Sequence, residues 1–139
     1  MRYPLSEVFD RLTIEMRKAH YGKDNAELLA EYRKAIGEKL GTRVADFVWQ
    51  TTILAIANAD IANLEYAIRS NKELSPEEIG QRAVAIRNIN NMRCIAKSII
   101  GRYVGEKTDP ERYDSKQKFT SILQPLGGKR AASSRTRKS

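Results

Sequence analysis

Apolar residues along this chain recur with helical rather than strand-like spacing, and two long segments dominate, roughly 43–71 and 76–103. In the first, Phe47, Leu54, Ile61 and Ile68 recur every seven residues, with Val48, Ala55 and Ala62 as a second column. Two such columns predict an amphipathic helix whose core face lies between them. Thr51, Asn58 and Glu65 run down the middle of that face. A polar group placed there is costly unless partnered, so the line marks either a specificity network or a site. In the second segment Ile79, Ile86 and Ile100 form a column in which Arg93 takes the missing place. Ile89, Ala96 and Tyr103 form the neighbouring column.

Two shorter helices precede this pair. Leu5, Val8, Phe9, Leu12 and Met16 predict a helix from about Ser6 to Ala19, ended by Tyr21-Gly22-Lys23. Asp24 with Glu27 reads as a capping box opening the second helix. Leu28, Leu29, Tyr32 and Ile36 face its core, and Gly41 closes it. Thr42 is then the expected N-cap of the third helix. The strongest boundary is Leu74-Ser75-Pro76-Glu77-Glu78-Ile79, with Ser75 as cap, Pro76 in the first helical position and Glu78 completing a capping box. The tight turn before it folds helices three and four into an antiparallel hairpin. In that register Asn58 faces Asn90, Glu65 faces Arg82 or Ala83, and Thr51 faces Lys97. Arg93 then requires a carboxylate, for which Asp10 and Glu15 of the first helix are the candidates.

The expected architecture is a small all-α helical bundle over residues 1–104, built on that hairpin. Residues 105–124 read as a linker in which Asp109-Pro110 can start a short helix through about Leu123. Residues 125–139 hold no core-forming residues and read as a flexible, disordered basic tail. Charge divides the same way. Of the net +8, residues 1–103 carry 16 basic against 13 acidic side chains, whereas 115–139 carry 7 basic and none acidic. Lys129, Arg130, Arg135, Arg137 and Lys138 are the candidate contacts to nucleic acid or another polyanion, through counterion release rather than sequence reading.

Catalytic and metal signatures are not apparent. His20 is the only histidine and Cys94 the only cysteine. Neither a zinc motif nor the Glu-x-x-His pair of di-iron bundles is present, and Gly127-Gly128-Lys129-Arg130 lacks the spacing of a phosphate-binding loop. No cofactor or metal is expected. No run approaches a membrane span, and Met1-Arg2-Tyr3-Pro4-Leu5 opens without an apolar signal segment, so the expected location is the cytoplasm.

Asp10-Arg11-Leu12-Thr13-Ile14-Glu15 with Lys18 resembles the opening of uncharacterised bacterial all-helical proteins often encoded among carbohydrate-biosynthesis genes. Leu64-Glu65 to Ile68-Arg69, and the series Asn90, Arg93, Lys97 and Ile100, resemble later segments of the same proteins. The resemblance spans about residues 5–103 and leaves the basic tail out. It implies a helical fold and draws attention to Asp10, Asn90 and Arg93, and it brings no reaction with it.

The functional expectation is a non-enzymatic interaction or assembly module whose basic tail touches a polyanion. Its broadly apolar third helix, with Ile53, Ile56, Ala57 and Leu64 on the other side, favours a protein partner or self-association. The alternative is a small-ligand site or weak enzyme in a polar cleft between helices one, three and four, using Asp10, Glu15, Asn58, Asn90, Arg93 and Lys97. Arg suits bidentate contact with a carboxylate or phosphate.

Overall fold

The long hairpin begins where the capping signal places it. Ser75 Oγ accepts from the Glu78 amide at 3.1 Å, and the Glu78 carboxylate reaches back to Ser75 N. The computed structural model describes residues 3–70 and 73–106. Among them α1 (Leu5–His20), α2 (Ala26–Leu40), a 3-10 segment (Gly41–Phe47), α3 (Val48–Ser70) and α4 (Pro76–Tyr103) follow in order, without a strand. This is an all-α bundle on an antiparallel hairpin of α3 and α4. α1 packs on both hairpin helices and α2 packs on α1. The elements expected over residues 107–139, the short fifth helix and the basic tail included, lie outside the described residues.

Two glycines close helices by the same device. At the end of α1, Lys23 N donates to Lys18 O and Gly22 N to Ala19 O, with Gly22 at φ 100°. At the end of α4, Glu106 N donates to Gly101 O and Gly105 N to Arg102 O, with Gly105 at φ 81°. Both are Schellman motifs, which need a left-handed residue that glycine supplies without strain. The second turns the chain back toward α1, where Ser6 donates to the Glu106 carboxylate from Oγ (2.7 Å) and from N (3.2 Å).

Three boundary expectations are corrected. Asp24 and Glu27 do not cap α2: the N-cap is Asn25, whose side chain is drawn to Glu15 instead of the helix. Thr42 does not cap a helix, because the chain winds as a 3-10 segment from Gly41 and becomes α-helical only at Val48. A 3-10 run that long is uncommon; here its tighter winding carries the chain from α2 to α3 and brings Phe47 fully into the core. The core face of α3 is also rotated from its expected position. Phe47, Gln50, Leu54 and Ala57 are buried, while Val48 and Ala55 face outward. Spacing could not separate the two faces, since residues 47–59 contain no charge at all.

The core lies at one end of the molecule. Phe9 and Phe47 meet with ring centroids 6.0 Å apart, among Val8, Tyr32, Ile36, Leu54, Ala96 and Ile100. Ile95 and Ile99 extend it along α4. No described residue between Asn58 and Cys94 is buried, so the far half of the hairpin is only partly covered. Gln50 is fully buried, and neither of its amide atoms meets a partner.

The cap makes a direct prediction. Ser75→Ala removes the reciprocal bonds and lowers the unfolding free energy by about 1 kcal/mol, read from the denaturation midpoint at unchanged m-value.

Candidate functional site

α1 runs from Glu106 toward the hairpin tip, and one of its faces carries Glu7, Asp10 and Thr13 against α3 and α4. Asp10 is at the centre of that face. Its carboxylate is fully buried and takes a two-pronged contact from Arg93: Nε to Oδ1 at 2.9 Å and Nη2 to Oδ2 at 2.6 Å. Asn58 Nδ2 donates to Asp10 Oδ1 and to Thr13 Oγ1, each at 2.9 Å. Thr13 Oγ1 donates in turn to the Asp10 backbone carbonyl at 2.8 Å. Arg93 Nη1 donates to Asn90 Oδ1 at 2.9 Å. Lys97 Nζ lies 2.6 Å from Glu7 Oε1 and 3.6 Å from Asp10 Oδ2, and Glu7 also holds Arg11 at 3.0 Å. One connected network thus ties α1 to both hairpin helices at the level where the packed core ends.

Burial alone would raise the Asp10 carboxyl, but hydrogen bonds from Arg93 and Asn58 and the charges of Arg93 and Lys97 outweigh it. The group is held below its ordinary value of 3.8. The Asp10 hydrogen bond likewise raises the Arg93 guanidinium against its own partial burial. A buried, firmly ionised carboxylate is a poor general base and is out of a ligand's reach. Asn58 and Asn90 are level, as the register requires, and are linked through Asp10 and Arg93.

Glu15 stands apart from this group. It accepts from Asn25 Nδ2 (2.7 Å), Lys18 (2.9 Å) and Lys23 (3.1 Å), while Asn25 also reaches the Glu15 carbonyl at 2.9 Å. These bonds clamp the α1–α2 turn. Of the two carboxylates open to Arg93, Asp10 is the partner and Glu15 is not. The expected pairing of Glu65 with Arg82 is also not formed: among the described residues neither has an ion pair. Lys129, Arg130, Arg135, Arg137 and Lys138 lie outside the described residues.

Among the described residues three concavities are open, one of them about 610 Å³ and basic, at the end of α1 between Arg17, Lys18, Lys23 and Tyr66. A cleft of about 520 Å³ and mixed lining runs along the hairpin beyond Ile14, with Ile61 and Ile86 among its apolar walls and Asn58, Asn90, Arg93, Glu65 and Arg87 as its polar ones. An apolar groove of about 460 Å³ lies on the opposite side of α1, between α2, the 3-10 segment and the start of α3. Comparison of the chain with protein-family models, curated proteins and solved structures gave no match. The site therefore rests on its own geometry. Among the described residues no group of His, Cys, Asp and Glu could hold a metal ion, and no helix is long and apolar enough to cross a membrane.

Sequence reasoning missed Glu7, Thr13 and Asn25. Glu7 and Thr13 could have been found, because they lie three residues either side of Asp10 and so share its helical face. Asn25 was masked by the stronger capping pattern of Asp24 and Glu27.

Each carboxylate carries its own prediction. Arg93→Ala leaves Asp10 buried without its main partner and costs about 3 kcal/mol of stability; Asp10→Leu with Arg93→Met recovers most of it, as denaturant titration of both variants will show. Glu15 titrates at about 2 in the fold against 4.5 normally, because Asn25 and then Lys18 bind its charged form. A lowered carboxyl stabilises above its unfolded value and loses that contribution as the pH falls through its folded value. Lys18 and Lys23 are half-exposed, so the loss between pH 4.5 and about 2 is set at roughly 1–3 kcal/mol. Glu15→Gln flattens that part of the stability–pH curve.

Proposed function

We propose that this chain is a non-enzymatic helical assembly module that associates with a second copy of itself and brings a basic segment to nucleic acid or another polyanion. The observation that carries the reading is the outward face of α3. From Val48 to Ala59 this helix bears no charge on any side, yet Val48, Trp49, Thr52, Ala55 and Ile56 face solvent. Trp49 and Ile56 are 47% and 54% exposed. A helix that is uncharged all round is normally buried all round, and large exposed apolar patches mark association surfaces. Thr52, Ala55 and Ala59 are small enough to let a second helix approach closely. A two-fold pairing of this face with itself is the simplest closed arrangement.

The polyanion contact rests on charge distribution: Lys129, Arg130, Arg135, Arg137 and Lys138 supply an unopposed excess beyond a nearly balanced bundle. A dimer would present two such segments and bind with a raised effective concentration. The alternative, a small-ligand site or weak enzyme, is less favoured, since Asp10 already occupies Arg93 and Glu15 serves the α1–α2 turn. Asn58, Asn90, Arg93, Arg87 and Glu65 still line the cleft.

The test combines sedimentation with titration of duplex DNA across a salt series. The full chain is expected to dimerise and to bind with a log–log salt slope of about −4.5 per chain, one phosphate per basic residue named, and about −9 for a dimer engaging both segments. Ile56→Glu yields a folded monomer with weaker binding. Replacing the five basic residues with Gln leaves the dimer intact and abolishes the salt-dependent binding. A full chain that stays monomeric and ignores DNA at low salt overturns the reading.

A further inference from the structure

The apolar groove on α1 is walled by Phe9 and Leu12, Ile36 of α2, and Val44 and Val48, with Arg33 the one charged residue on its rim. Val44 and Val48 remain 42% and 50% exposed there, while Phe9 and Ile36 are buried behind them. Arg33 forms no ion pair among the described residues. A groove of this size and lining is the kind that accepts one or two turns of an amphipathic helix.

The chain itself holds a segment that fits. Glu106, the last described residue, is fastened by two hydrogen bonds to Ser6, which stands one turn before Phe9 on α1. The chain therefore leaves the fold at the N-terminal end of α1, one helical turn from Phe9 of the groove. Past it, Phe119, Ile122 and Leu123 stand at i, i+3 and i+4, the spacing of anchors on one helical face, and Pro125 sets a stop just after them. Around them are Lys118, Thr120, Ser121 and Gln124, which a docked helix would turn to solvent. Asp109, Glu111 and Asp114 precede the anchors and supply acidic partners for Arg33. The 12 residues from Lys107 to Lys118 extend to about 40 Å at most, enough to span a domain of this size. Tethering adds a high effective concentration, so even a three-residue anchor can hold.

We infer that residues 119–123 dock into this groove of their own chain, with Phe119, Ile122 and Leu123 inserted between α1, α2 and the start of α3. The groove shares Val48 and Thr52 with the outward face of α3, so Phe119→Asp, which leaves α3 unchanged, separates this inference from the assembly reading.

The test is NMR on the full chain, with nuclear Overhauser contacts sought between the Phe119 ring and the methyls of Val44 and Val48. Amide exchange is measured over 119–123 in parallel. Docking predicts those contacts and exchange slowed about tenfold or more relative to the free segment. Phe119→Asp, and separately Val48→Asp, should each return that exchange to the free rate while leaving the Asp10–Arg93 network signals in place. A wild-type chain with free-rate exchange over 119–123 and no such contacts overturns the inference. Contacts seen only between differently labelled copies in a mixed sample also overturn it, because the groove would then hold a neighbour's segment.

Discussion

The two-pronged contact between Asp10 and Arg93 holds the helices of this bundle in register. It joins α1 to α4 across 83 residues of sequence, and through Asn58 it takes in α3 as well. Its position matters as much as its strength. Below it the hydrophobic core of Phe9, Phe47, Leu54, Ala96 and Ile100 is closed to water. Above it no described residue from Asn58 to Cys94 is buried. The network therefore works as a polar lid on the core. It fixes the register of α1 against the hairpin where apolar packing alone would leave sliding cheap. A buried ion pair contributes little net stability against an apolar substitute, but it penalises every arrangement that leaves one partner unpaired. Specificity of docking, more than raw stability, is what Asp10 supplies here.

That role also explains why the cluster is a poor candidate for chemistry. A carboxylate that accepts from Arg93 twice and from Asn58 once has most of its lone pairs engaged, and it is held ionised despite complete burial. The surfaces left open are of a different kind: an uncharged helix face, an apolar groove, a cleft of mixed lining and a basic concavity at the end of α1.

Much of this was legible in the residues. Ser75, Pro76 and Glu78 fixed the start of α4 because a capping box is a local device that needs no tertiary context. The tight turn before it set the hairpin register and put Asn58 level with Asn90. The demand of Arg93 for a carboxylate followed from its place in an isoleucine column, although spacing left Asp10 and Glu15 both open. What stayed hidden has a physical cause in each case. The rotation of α3 was not readable, because Val48 is nearly as apolar as Leu54, Ala55 is small enough for either face, and residues 47–59 carry no charge to mark the solvent side. Asn25 satisfied a distant carboxylate rather than its own helix, a tertiary override of a local pattern. Gln50 sits in the core without a partner for its amide, and neither the sequence nor the structure accounts for it.

If Asp10 is a buried, permanently ionised carboxylate paired with Arg93, its side chain should report that directly. Carbon-13 NMR of the Asp10 carboxyl, followed across acidic pH in the folded full chain, is the decisive experiment. Asp10 is expected to stay ionised below its ordinary value of 3.8, with the Arg93 Nε proton resolved and slow to exchange. A carboxyl that titrates at or above that value, or an Arg93 proton in free exchange with water, would mean that the pair does not lock α1 to the hairpin.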